Sequence, residues 1–398
     1  MEKIKNNKIV LGKNEIWPHV SKSETILINK VLKSNKLNYW TGNNCKLFEQ
    51  EFSKYIGKKY GVSLCNASVA LDISLKAFNF KKGDEIVVTP RSYISSASCV
   101  INNYLKPVFA DIDPNSQNIN GETIKKVITN KTKAIILVHL AGYPCEMSEI
   151  MNIAKKYKLK IIEDCSQSHG AMYRNKFTGS FGDIAIWSFC NDKIMNTLGE
   201  GGMLCVNNKK LYKKIWSLKD CGKNYSKFIN NKKSYNFKWV HDFYGTNLRL
   251  TEVQAVVGRY QLKKLNYWVN TRKKYSSIIL NNVKGLNIVN FHQVPSYIKH
   301  SYYRCYLRLN KKNIKKNWNK AKIIKAMNSK GIPCNSGSCP EIYKEKAFLN
   351  LKIKFKKKKI ASAISDEYIA FMVHPTLEKK NIIKISKTIK EILIKAQK

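Results

Sequence analysis

From about residue 59 to residue 206, short apolar runs alternate with amphipathic stretches. Runs of strand length fall at 61–65, 85–89, 107–111, 134–140, 159–163, 184–189 and 203–206. Between two of them, Ile150, Ile153, Ala154 and Tyr157 recur at i, i+3, i+4 and i+7, the spacing of one helix face. Strand, helix, strand again predicts an α/β fold with a mostly parallel sheet. Residues 207–246 are less regular, and 224–233 are polar and rich in Asn and Lys. A helical pattern resumes over 251–267, with Thr251 placed as its N-cap. Beyond about 270 come a strand-like run at 301–309, a helix at 318–330 and a last helix from Glu378. These predict a smaller α+β unit, with the lysine run 356–359 in a solvated loop.

The 398 residues exceed what a single core usually serves. The expected division is an N-terminal arm over 1–25, a large domain over 26–265 and a small C-terminal domain over 266–398. No apolar run reaches the ~18 residues of a membrane span, and MEKIKNNKIV lacks the apolar stretch of a signal peptide. A cytoplasmic protein with no membrane partner is the expectation. Eleven cysteines include no Cys-x-x-Cys pair, which argues for reduced thiols and against a zinc site or other metal.

Charge is the outlying quantity, at +45. A nucleic-acid binder is one reading. Yet only seven of the 72 basic residues are Arg, the residue best suited to bidentate base and phosphate contacts. The lysines are spread along the chain and accompany 41 Asn, so a basic surface without a nucleic-acid partner is favoured. Such a field still attracts anions, a phosphorylated substrate included.

Two segments carry candidate chemistry. In 161–170, IIEDCSQSHG, an apolar run ends at Asp164, which puts a carboxylate at the C-terminal sheet edge where ligands of open α/β sheets gather. It could hold a protonated ring nitrogen or a metal, or merely cap the next turn. In 187–202, WSFCNDKIMNTLGEGG, a strand delivers Ser188 and then Lys193 into a turn closed by Gly199, Gly201 and Gly202. Burial there is expected to lower the lysine's pKa and make it a nucleophile toward an aldehyde. One lysine among 65 is otherwise unremarked. An acid at 164, a hydroxyl at 188 and a lysine at 193, each after a strand, form the set that a pyridoxal phosphate (PLP) site requires.

Ordered matches run through most of the chain: Glu163-Asp164, Gln167 and His169-Gly170; Gly179-Ser180 and Gly182-Asp183; Ser188-Phe189, Lys193 and Gly199-Glu200-Gly201-Gly202. FEQEF at 48–52, GTNLR at 245–249 with Gln254-Ala255, and VHPTL at 373–377 extend them. The sequence resembles the DegT/DnrJ/EryC1/StrS family of PLP-dependent sugar-nucleotide aminotransferases over roughly 20–380. The resemblance implies the fold-type I architecture, a mostly parallel seven-stranded sheet with a smaller C-terminal domain. It implies that Lys193 carries PLP covalently, that Asp164 keeps the pyridine nitrogen protonated, and that Gln167 contacts the 3-hydroxyl. The family's phosphate-binding segment corresponds to NASVAL at 66–71, so backbone N–H groups of Ala67 and Ser68, with the Ser68 and Ser188 hydroxyls, would hold the phosphate at a helix start. Tyr93 would stack on the ring, unless it is a core tyrosine. Asn247 would reach the phosphate from a partner subunit, which implies a homodimer.

Three positions depart from the family pattern: Ala67 stands for Gly, Ser166 for Ala and Thr246 for Tyr. None removes a chemical role, although Ala67 bears on how closely the backbone approaches the phosphate. The implied activity is amino transfer, with L-glutamate as donor, to a keto sugar nucleotide, first of all a 4-keto-6-deoxyhexose as in perosamine-type pathways, for polysaccharide or amino-sugar biosynthesis. Related sugar dehydratases carry His where Lys193 stands. A PLP-binding regulator without catalysis is the other alternative.

Overall fold

The computed structural model describes residues 8–229, 237, 239–351, 353 and 355–398. Residues 1–7, where the signal-peptide reading falls, and 230–233 of the polar stretch lie outside them.

Seven strands form the main sheet: β1 (Tyr60–Leu64), β2 (Glu85–Val88), β3 (Lys106–Phe109), β4 (Thr132–Val138), β5 (Lys160–Asp164), β6 (Ile184–Ser188) and β7 (Gly202–Val206). Their spatial order is β1-β7-β6-β5-β4-β2-β3. All neighbours are parallel except β7, which runs antiparallel to both β1 and β6. Each expected strand is present within two residues of its sequence limits. The α/β fold with a mostly parallel sheet is therefore the observed one.

Successive residues of a strand face opposite sides of a sheet, and both sides here are covered. Ile86, Val88, Ile162, Ile184 and Ile186 join one core with the helices Ala67–Phe78 and Ser95–Asn102. Val87, Ile135, Leu137 and Ile161 turn to the other side against the helix Met147–Tyr157, and Ala185 and Trp187 pack there with Phe48 and Phe52. This two-sided burial is why these strands read as continuous apolar runs.

Thr251 caps its helix as expected, accepting from the Gln254 N–H, but the helix runs on to Val283. It passes unbroken through residue 265, the expected edge of the large domain. Its first half packs on the helix Asn44–Ile56 and its second half on the C-terminal helix Lys379–Ala396. The apolar stripe is interrupted because Arg272 occupies a buried position between Val269 and Ile279. In the helix Lys209–Lys219 the last residue, Lys219, is buried and lies 3.5 Å from Glu49 and 3.5 Å from the Tyr39 ring centre.

Three antiparallel strands, β8 (Cys305–Arg308), β9 (Cys334–Asn335) and β10 (Tyr368–Phe371), form a second sheet in the order β8-β10-β9. The expected strand over 301–309 is shorter, because 301–304 leave the sheet to approach the larger one. Lys356, Lys357 and Lys359 are exposed, in keeping with a solvated run. Among the described residues no helix is long and apolar enough to cross a membrane.

The C-terminal edge of β5 is fixed by Glu163. Its fully buried carboxylate accepts from the backbone N–H groups of Gly179 (2.7 Å), Phe181 (2.9 Å) and Gly182 (2.6 Å). His139 Nδ1 accepts from the Cys145 N–H, so its Nε2–H donates to Glu163 at 3.2 Å. Burial works against this carboxylate, but the His139 contact and the Gly182 N–H outweigh it and hold its pKa below the usual value of 4.5. A carboxylate with a depressed folded-state pKa stabilises the fold above its unfolded pKa and loses that contribution as pH falls through the folded value. Glu163→Gln is expected to cost roughly 1.5–3 kcal/mol at pH 7. Denaturant midpoints measured from pH 7 downward should show the deficit shrinking below about pH 4.5.

Candidate active site

Asp164, the last residue of β5, is 4% exposed. Its Oδ2 accepts from Ser96 Oγ at 2.9 Å and its Oδ1 from the Ser166 N–H at 3.1 Å. Ser96 lies 3.0 Å from Ser92 Oγ, so the carboxylate is tied to the loop that bears Tyr93. Tyr93 is 69% exposed, not a core residue. Gln167 Oε1 accepts from the Ala141 N–H at 2.7 Å, which leaves its amide N–H groups for another acceptor.

Ser188, Gly202 and Leu64 stand in one row across β6, β7 and β1. A Cβ at Gly202 would lie 2.5 Å from the Asn66 carbonyl oxygen and 3.0 Å from the Ala67 nitrogen, so only glycine lets β7 pass beneath this helix start. Asn66 is the N-cap and accepts from the Val69 N–H at 3.0 Å. The N–H groups of Ala67 and Ser68 precede the first intrahelical bonds and point out of the helix. Ala67 is helical rather than left-handed, so its departure from glycine imposes no strain. Ser188, Ala67 and Ser68 thus share one end of the sheet.

Lys193 follows in the turn after β6. Its Nζ lies 3.2 Å from Tyr303 Oη and 3.4 Å from Asp192 Oδ1. Asp192 also accepts from Tyr303 Oη and from Arg304 at 2.7 Å. The Tyr303 N–H donates to the Ala141 carbonyl, and Ala141 is the residue that holds Gln167. The Trp17 indole N–H donates to the Lys193 carbonyl at 2.8 Å, which brings the N-terminal arm over the site.

The lowered lysine pKa expected from burial is not found. Burial does lower it, but Tyr303 and Asp192 outweigh burial and leave the value raised. Burial likewise raises the Tyr303 hydroxyl, against the pull of Lys193 and Arg304. Without a further reactant Lys193 is a charged ammonium.

Asp164, Gln167, Ser188, Lys193, Ala67, Ser68 and Tyr93 therefore converge on the C-terminal edge of the sheet. Asn247 does not join them. It is exposed and bridged to Asp220, its Oδ1 lies 3.4 Å from the Arg249 N–H, and among the described residues it bonds none of that set. Sequence reasoning missed Ser96, Asp192, Tyr303, Arg304 and Trp17. Only Asp192 had a local signal, its place beside Lys193; the others arrive through tertiary packing, Tyr303 from 110 positions away. The described residues also hold one His/Glu/Cys cluster, His139, Glu163 and Cys165. Its Glu163 oxygens and His139 nitrogens are already committed to the hydrogen bonds above.

The fold, a seven-stranded sheet with one antiparallel strand and a lysine and an aspartate at its C-terminal edge, is that of solved aminotransferases. The profile of the DegT/DnrJ/EryC1/StrS aminotransferase family matches residues 18–390, and the chain belongs to that family. It is similar to the crystal structure of an aminotransferase from Psychrobacter cryohalolentis, with 38% identity, a TM-score of 0.93, and coverage of 97% of this chain and 100% of that one. GDP-perosamine synthase of Escherichia coli O157:H7 is 32% identical over 286 residues, 72% of this chain and 75% of the relative. The E. coli GDP-4-keto-6-deoxy-D-mannose-3-dehydratase, solved with bound hydrated PLP, shares 25% identity with a TM-score of 0.84 over 97% of this chain and 100% of that one.

Gly202→Ala should push the Asn66–Ala67 backbone away from β7 and destabilise the protein by about 1–3 kcal/mol. Thermal or denaturant unfolding checks this; an unchanged midpoint would mean that the close approach is not maintained in solution.

Proposed function

We propose that the protein is a PLP-dependent aminotransferase that moves an amino group from L-glutamate to a keto sugar nucleotide, with a 4-keto-6-deoxyhexose as the first candidate, in polysaccharide or amino-sugar biosynthesis. The observation that carries the reading is the convergence of Lys193, Asp164 and the Ser188–Ala67–Ser68 cradle on one sheet edge. The residues fit PLP in charge and kind. A helix start with free N–H groups suits a phosphate, a buried carboxylate suits a pyridinium, and the spare amide N–H groups of Gln167 suit an oxygen anion. Similarity to GDP-perosamine synthase supports the choice of sugar.

When bound, PLP supplies an electron sink for the carbanion that forms at the carbon bearing the amine. Asp164, held by Ser96 and the Ser166 N–H, would keep a proton on the ring nitrogen. Ala67, Ser68 and Ser188 would hold the phosphate, and Tyr93 would lie against the ring. Lys193 would carry the cofactor, and its amine would move the proton at the reacting carbon as general acid and base. Asp192 and Tyr303 orient that amine and accept its hydrogen bonds. A homodimer in which Asn247 contributes to the partner's phosphate site belongs to this reading, supported by its exposure and by the family resemblance of 245–249. A cytosolic setting also belongs to it, and the eleven cysteines, all unpaired, fit a reducing compartment.

Borohydride reduction of the loaded protein followed by peptide mapping should label Lys193; a label on another lysine would remove the mechanism. Purified protein with L-glutamate and a panel of keto sugar nucleotides should aminate one class, and absence of any amino sugar would refute the function. For the dimer, Asn247→Ala should weaken PLP binding by about 1.5–3 kcal/mol. If that variant is impaired at limiting PLP, mixing it with inactive Lys193→Ala should restore part of the activity, because one site of each mixed dimer carries neither lesion. Exchange of subunits without recovery would place Asn247 in its own subunit's site.

A further inference from the structure

Two arginines beside Lys193 have no part in the reading above. Arg272 is 2% exposed in the middle of the helix Glu252–Val283. One terminal nitrogen donates to the Val373 carbonyl, whereas Nε and the other terminal nitrogen meet no acceptor among the described residues. Its guanidinium lies 4.9 Å from the ring centre of Trp17, whose indole N–H binds the Lys193 carbonyl. Arg304 lies 4.6 Å from the Tyr303 ring centre and among the described residues pairs only with Asp192, which Lys193 and Tyr303 already share. Lys193 and Arg304 therefore share one carboxylate, and Arg272 has none among the described residues.

The two histidines of this group are neutral and add no further positive charge. Burial, then the charge of Lys193, pushes His169 down to about 3, and burial, then Arg272, does the same to His374. Burial and the neighbouring Arg304 lower Arg272 to about 9, which leaves it charged at neutral pH. A buried guanidinium with unpaired N–H groups is disfavoured unless an anion reaches it, and its planar fork suits a carboxylate.

We propose that Arg272 and Arg304 form the pocket for a carboxylate of the amino donor. This rests on the proposed function and adds to it the residues that read the donor. The chemistry favours a donor over the sugar nucleotide. The carbon whose proton Lys193 moves bears the donor's carboxylate directly, so an anion must sit next to the lysine during the first half-reaction. The diphosphate of a 4-keto sugar is attached at C1, across the ring from the reacting carbon.

The test uses the loaded enzyme, Arg304→Gln and Arg272→Lys, with glutarate as an unreactive probe. Cofactor absorbance during mixing with L-glutamate should show half-saturation raised about tenfold or more in each variant, as loss of a hydrogen bond to a charged group implies. Cofactor content and the Michaelis constant for the sugar nucleotide should stay near native values. Calorimetry should find glutarate bound to the native enzyme and weakened similarly in Arg304→Gln. In the native enzyme glutarate should compete with L-glutamate. Unchanged half-saturation in a loaded variant overturns the pocket, as does competition by glutarate with the sugar nucleotide alone. If Arg272→Lys does not fold, Arg304→Gln and the native enzyme decide by the same criteria. A native absorbance that ignores L-glutamate would refute the donor in the proposed function, and calorimetry would still judge the pocket: no glutarate binding to native protein overturns it.

Discussion

Two carboxylates side by side at the end of one strand cannot point the same way. Glu163 and Asp164 close β5, and the pleat sends them to opposite faces. Glu163 is consumed by structure, accepting three backbone N–H groups of the 179–182 loop and the His139 proton. That fixes the loop entering β6, and with it the register that places Ser188 opposite Gly202. Asp164, on the other face, meets a serine hydroxyl and a single backbone N–H. A carboxylate left so lightly bound within a buried sheet edge is available to a cationic partner.

The sheet was legible because its strands are buried on both sides and so appear as short apolar runs. Elements whose core positions hold a charge were not. Arg272 hid the second half of Glu252–Val283. Asp164, Ser188 and Lys193 could be placed at the sheet edge because each follows a strand within a few residues. Their partners could not: Ser96, Tyr303 and Trp17 lie in distant segments, brought in by the packing of the helix Ser95–Asn102, of the segment before β8 and of the N-terminal arm. The expected pKa of Lys193 failed for the same reason, since burial was foreseeable and the neighbouring Asp192–Tyr303 pair was not.

Charge has a local meaning that its total conceals. Most of the excess lysine is spread over the surface, whereas the few arginines are specific. Arg249 meets buried Asp220 at 2.8 Å, Arg259 meets Glu51 at 2.7 Å, and Arg308 meets Glu367 at 2.8 Å. Two buried arginines depart from that pattern: among the described residues Arg91 has all three guanidinium nitrogens unmatched and Arg272 has two.

The central claim is that Asp164 keeps a proton on the cofactor's ring nitrogen. The direct measurement is the 15N chemical shift of PLP labelled at that nitrogen and bound to the native protein and to Asp164→Asn. The account predicts a protonated nitrogen at neutral pH in the native protein and an unprotonated one in the variant. An unprotonated nitrogen in the native protein, or the same shift in both, would contradict it.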